Sequence, residues 1–186
     1  RTQIQPHFLF NVLNNIHAEL AVSPSQAGTM LTMLGDHLRN ALELEDTLFV
    51  SLEADLLPIR SFIALQQMRF ETQITLAVDL KRQAAARRVP TFLLLPLVEN
   101  ATKFAHRTTG EPIDIRIEAD TDGPKLTISV SNPGSLSTRA EVPGTQTGLA
   151  NLRARLALHY PDRHHFSLTE QDNRVTARIE VEGEPC

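Results

Sequence analysis

Cysteine and long apolar runs are scarce in this chain of 186 residues, and each scarcity excludes something. The one cysteine is the last residue, Cys186, so no internal disulfide can form. That fits a reducing compartment and leaves the thiol incidental. No stretch approaches the roughly 18 to 20 apolar residues that a membrane-spanning helix needs, and no signal peptide is visible. Positive charge is not concentrated either. Residues 1 to 47 carry 2 basic and 5 acidic side chains, the remainder 16 and 17, for a formal charge of −4. Neither part offers the basic surface that nucleic acid would need. Internal repeats and low-complexity tracts are absent. His37, His159 and the pair His164-His165 have no acidic or cysteine partners at metal-ligand spacing and read as structural or solvated.

What remains is an ordinary globular composition, 41% hydrophobic and 22% charged, sufficient for one or two compact domains. The chain opens at Arg1 inside a helical pattern and without methionine, which suggests a fragment whose upstream part is missing. Any membrane anchor is expected there.

Leu9, Leu13, Ile16 and Leu20 recur at helical spacing and predict a packed seam, with His7, Asn11, Asn14 and Ala18 on a separate polar stripe. Pro6 belongs in a first helical turn or at a kink immediately before His7. After a break at Val22 to Ser25, Met30 or Leu31, Leu34, Leu38 and Ala41 mark a second amphipathic helix. A hairpin of two such helices cannot enclose its own apolar seam, so pairing with a second copy into a four-helix bundle is expected.

Beyond Leu52 helices mix with strands. Glu53 to Phe70 reads as a helix and Gln73 to Asp79 as a half-buried strand. Thr91 to His106 reads as a largely buried helix started by Pro90 and kinked at Pro96. Two strands, Ile113 to Ala119 and Lys125 to Ser131, flank a turn at Thr121 to Pro124. A helix over Leu149 to His159 and a closing hairpin, His165 to Thr169 with Arg174 to Val181, complete the pattern. Asn132 to Thr147 lacks periodicity and has the length of a functional lid or a disordered loop.

Three segments carry candidate chemistry. An ordinary imidazole pKa of about 6.5 leaves His7 mostly uncharged and nucleophilic near neutral pH, suited to attack on a terminal phosphate. A surface or capping histidine is the simpler reading, but the neighbouring Phe8 and Phe10 imply a packed partner surface. Glu99, Asn100 and Lys103 lie within one helical turn, where an ion pair plus an amide would be unremarkable. The preceding Phe92-Leu93-Leu94-Leu95 implies burial, and buried polar groups need partners. A metal–phosphate cluster would supply them, since an amide oxygen suits Mg²⁺ and an ammonium suits phosphate. Finally, Gly144 and Gly148 bracket a turn leading into a helix, where backbone amides can approach phosphate oxygens.

In order and content, Gln3 to Asn11, Leu95 to Lys103 and Gly148 to Leu156 resemble the LytS-like sensor histidine kinases, whose nucleotide domain belongs to the GHKL ATPase superfamily. The resemblance covers essentially the whole chain. It implies an α+β architecture: a dimerising helical hairpin over 1–47, forming a dimeric four-helix bundle, and a GHKL (Bergerat) α/β sandwich over 48–186 that holds ATP under a mobile lid. By the same resemblance His7 is the phosphoacceptor, Asn100 the Mg²⁺ ligand and Lys103 a phosphate contact. No acid directly follows His7, which leaves Glu99 to remove a proton or to orient the metal shell. Asn132-Pro133-Gly134 stands where the superfamily commonly has Asp-x-Gly to receive the adenine amino group. Gln146 stands where a glycine is common, and Phe104 where histidine is often found, with His106 nearby. Gly144, Gly148 and Leu149 fall in the segment that would contact nucleotide.

The implied activity is ATP-dependent autophosphorylation of histidine, followed by transfer to an aspartate on the receiver domain of a response regulator. The implied setting is a homodimer forming the cytoplasmic portion of an inner-membrane sensor. Two alternatives remain at this level: a degenerate kinase that serves as a scaffold or phosphatase for the regulator, and a GHKL ATPase of another kind.

Overall fold

The computed structural model describes residues 6–45, 47–69, 73–108, 112–136 and 145–186. The side chains at 6–8, 11, 41, 44–45, 69, 104–108 and 145–147 also lie outside that description. Two helices come first, α1 (Pro6–Val22) and α2 (Pro24–Glu45). Ser23 alone separates them. Its hydroxyl oxygen accepts from the Gln26 amide at 3.4 Å, and Pro24, with no amide hydrogen to lose, opens α2.

The apolar seam differs from the one that spacing suggests. Val12 and Ile16 are buried, with Leu9 partly so, whereas Leu13 and Leu20 are 47% and 52% exposed. On α2, Ala27, Met30 and Leu34 face inward and Leu31 outward. The reason is a third helix, α3 (Leu57–Arg69), which packs on both hairpin helices and draws their inner faces into one continuous core with Ile59, Phe62 and Ile63.

Short β1 (Phe49–Ser51) and a 3-10 turn, Ala54–Leu56, lead into α3. Next come β2 (Ile74–Leu80), α4 (Arg82–Ala86) and β3 (Arg88–Pro90), which pairs antiparallel with β1. α5 (Leu95–Thr108), β4 (Ile113–Asp122), β5 (Lys125–Pro133), α6 (Thr145–His159), β6 (His164–Gln171) and β7 (Arg174–Glu182) complete the order. The main sheet runs β2-β4-β5-β7-β6, with β2 parallel to β4 and the remaining pairs antiparallel.

Strict alternation buries one face of this sheet: Ile113, Ile115 and Ile117 on β4, Leu126, Ile128 and Val130 on β5, and Val175, Ile179 and Val181 on β7. α5 lies against β4 and β5, α3 contacts β2, and α6 contacts β6. Asp172 and Asn173, both with positive φ, make the tight turn between β6 and β7, as two-residue hairpins require.

The expected helix from Thr91 begins later, at Leu95, and Pro96 produces no interior kink. At the second helical position proline's missing amide hydrogen would have had no intrahelical partner, so the ladder loses nothing. Leu97 and Val98 instead donate to the Leu94 carbonyl at 3.0 and 3.2 Å. Among the described residues, no helix is long and apolar enough to cross a membrane.

Candidate functional site

Six of the residues singled out by sequence fall on three neighbouring elements. Glu99, Asn100 and Lys103 ride on α5, which leaves Asn100 buried, Glu99 half-buried and Lys103 exposed. Asn132 is only 2% exposed near the end of β5, on the same inward row as Leu126, Ile128 and Val130. Its amide nitrogen donates to the Pro133 carbonyl at 2.7 Å. β5 is one of the two strands that α5 contacts, and both asparagines are buried.

Gly134 follows with φ of 130°, a backbone region that favours glycine, and its amide donates to the Asn173 carbonyl at 2.9 Å. Gly144 and residues 137–143, part of the expected lid, lie outside the described residues.

Gly148, in the first turn of α6, meets the first turn of α5. A Cβ built on it would lie 4.0 Å from Cβ of Pro96. The two helices thus begin side by side, where their positive dipole ends favour an anion. Leu149 packs partly buried against the core and fixes that end of α6. His7 is on a separate element, the first turn of α1, and its side chain lies outside the described residues.

Two residues that the sequence reading passed over hold the entrance to α5. Asp55, fully buried in the 3-10 turn, accepts from the Phe92 amide at 2.6 Å and from the Leu94 amide at 2.9 Å, one on each carboxylate oxygen. Burial pushes its carboxyl up to about 6, against the pull of those amides and of Arg155. Arg155, on α6, donates from one nitrogen to the Thr91 carbonyl at 2.6 Å and the Phe92 carbonyl at 3.1 Å. Between them Phe92 sits at φ of 59°, a left-handed conformation that costs a non-glycine residue on the order of 1 kcal/mol or more. Bonds to both sides of its backbone and burial of its ring offset that cost. The same turn holds the linker from the hairpin. The Thr91 amide donates to the Leu48 carbonyl at 3.0 Å, and the Thr91 hydroxyl donates to the Thr47 carbonyl.

A signal for both residues was present in the sequence. Asp55 interrupts the stripe Leu52, Leu56, Ile59, and Arg155 the stripe Leu152, Leu156, Tyr160, so each is a lone charge on a buried face. Among the described residues no group of three or more His, Cys, Asp or Glu side chains is arranged to hold a metal.

This mixed sheet backed by helices has the fold of histidine-kinase catalytic domains. The histidine kinase ThkA, solved in complex with the response regulator protein TrrA, superimposes with a TM-score of 0.51 at 17% identity, over 95% of this chain and 59% of that one. The histidine kinase family profile matches residues 1–74. The sensor histidine kinase YpdA of Escherichia coli is 28% identical over 193 residues, covering 100% of this chain and 34% of YpdA. The sensor protein LytS of Staphylococcus saprophyticus is 30% identical over 168 residues, covering 84% of this chain and 28% of LytS. The chain belongs to the histidine kinases, among the LytS-like sensor proteins. It spans about a third of the length of these curated relatives.

Proposed function

We propose that this chain is the kinase core of a two-component sensor, which moves the terminal phosphoryl group of ATP to His7 and then to an aspartate of a response regulator. The observation that carries the reading is the pairing of two parts in one chain. The histidine-kinase match covers the His7 helix, while Asn100 and Asn132 are both buried, on the contacting elements α5 and β5. In this reading residues 1–47 form the phosphoacceptor and dimerisation hairpin, and 48–186 the ATP-binding sandwich.

The adenine would rest against Asn132 and Gly134, with Asn132 accepting from its amino group. The phosphates would lie by the start of α6, at Gly148 and Leu149, in a field that favours negative charge, with Lys103 reaching from two turns along α5 and Gly144 contributing as the resemblance implies. Mg²⁺ fits the residues present: Asn100 supplies a buried hard oxygen donor, and the lack of an acidic cluster among the described residues suits an ion that takes its other ligands from phosphate and water. When bound, it neutralises charge on the phosphates. Glu99 would orient the surrounding water or remove the imidazole proton.

A ring nitrogen of His7 forms the new N–P bond as the bond between the terminal phosphorus and the bridging oxygen breaks, and ADP leaves with the electron pair. Positioning and electrostatics supply most of the acceleration in such transfers. The receiver carboxylate then displaces the imidazole from phosphorus. ThkA was solved with the response regulator protein TrrA, which supports a regulator partner here; docking on the hairpin follows from the resemblance alone. Phe10, Leu13, Leu20, Leu31 and Leu42 remain exposed on α1 and α2, which supports a homodimer closed as a four-helix bundle. Attachment to the inner membrane would run through residues ahead of the hairpin, leaving this part in the cytoplasm.

Incubation with Mg²⁺ and γ-labelled ATP tests the reading. An acid-labile label on the wild-type protein and none on His7→Ala is expected. Equal labelling of both, or phosphate release unaffected by the substitution, would overturn it.

A further inference from the structure

The turn at residues 91–94 is where three parts of the chain meet. Asp55 takes two of its amides, Arg155 gives hydrogen bonds to two of its carbonyls, and Thr91 is bonded to Thr47 and Leu48 of the hairpin linker. α5 starts at the next residue, Leu95. We propose that Asp55 and Arg155 are positioning residues for the nucleotide site, gripping this turn from opposite sides so that α5 presents Glu99, Asn100 and Lys103 in fixed register with α6 and the linker. The proposal rests on the nucleotide reading above and adds to it the device that seats the site.

The chemistry of the grip is specific. A carboxylate accepts through both oxygens, and the two amides it holds flank Leu93, so the chain between them has little room to rotate. An amide side chain in place of Asp55 would turn an NH₂ towards one backbone N–H and lose that bond. The guanidinium of Arg155 reaches carbonyls of consecutive residues with one nitrogen, and also faces the Asp55 charge across the turn. Lysine retains the charge but not the planar geometry. Arg155 stands two helical turns beyond Gly148 on α6, so movement at the phosphate end of α6 is carried rigidly to the start of α5.

The test compares wild-type protein with Asp55→Asn, Arg155→Lys and a remote core control, Ile179→Val. Hydrogen exchange is followed without nucleotide, and Mg²⁺·ADP affinity is measured by calorimetry well below each melting temperature. Expected for Arg155→Lys are about tenfold faster exchange over 92–98, with β5 unchanged, and about tenfold weaker ADP binding. Ile179→Val should leave the affinity at the wild-type value although it too lowers the melting temperature. Should Asp55→Asn not fold, Arg155→Lys alone decides. Wild-type exchange over 92–98 in folded Arg155→Lys would overturn the proposal, as would faster exchange spread evenly over sheet and helices. A wild-type protein that binds no ADP would overturn the nucleotide reading instead, and the exchange comparison would still decide the grip.

Discussion

Nδ1 of His37, on the second hairpin helix, lies 3.0 Å from the hydroxyl oxygen of Ser61 on α3, in an interface where the imidazole is only 4% exposed. Burial lowers its pKa from the ordinary 6.5. A histidine disfavoured as imidazolium in the fold contributes stability that is present above 6.5 and is lost as pH falls through the folded value. Wild-type protein should therefore lose more stability than His37→Gln when the pH drops from 7.5 to 5.5. Urea unfolding at both pH values checks this, and parallel curves would refute it.

Asp55 runs the other way. Its folded carboxyl, at about 6, sits above the ordinary 3.8, so its contribution is fully present below 3.8 and is lost as pH rises through 6. Between pH 5 and pH 7 this group alone should remove about 1 kcal/mol. Asp55→Asn abolishes that dependence, whatever its effect at a single pH. The measurement is the difference between the wild-type and variant unfolding free energies at the two pH values.

Asn100→Ala takes away the buried amide assigned to the metal. Mg²⁺-dependent nucleotide affinity should fall at least ~10-fold, since even the outer partners of a metal are worth that much. Calorimetry with and without Mg²⁺ separates this from a general loss of binding. Asn132→Asp should tighten adenine nucleotides, because a charged acceptor forms the stronger hydrogen bond to an amino group. Equal or weaker affinity would place the base elsewhere.

Leu13, Leu20 and Leu31 point away from α3 although they sit on apolar helices. Replacing all three with glutamine should leave the helical content intact and shift the protein to monomer in sedimentation. An unchanged assembly state would exclude this face as the dimer surface.

The strands of the main sheet were legible because alternation has a short period and β4 and β5 each repeat it several times. β1, β3 and α4, at three to five residues, are too short to show any period. The start of α5 was misplaced by four residues, since Phe92-Leu93-Leu94 is apolar throughout and nothing local reveals that Asp55 takes two of its amides. The hairpin seam shifted for the same kind of reason: α3 gives Val12 a partner that spacing within α1 cannot display. At the candidate site, the α5 trio and Asn132 stood out by residue type. Asp55 and Arg155 left only the mark of a lone charge on an apolar stripe, and their backbone partners, remote in sequence, could not be read from it.

β2 and β4 run the same way in the sheet, so everything from Lys81 to Pro112 is a single excursion between neighbouring strands, and α5 lies inside it. A ribosome delivers that helix before the strand that closes the excursion, and delivers Arg155 later still. Chain growth therefore leaves the helix held from one side only, by Asp55, until Arg155 has emerged.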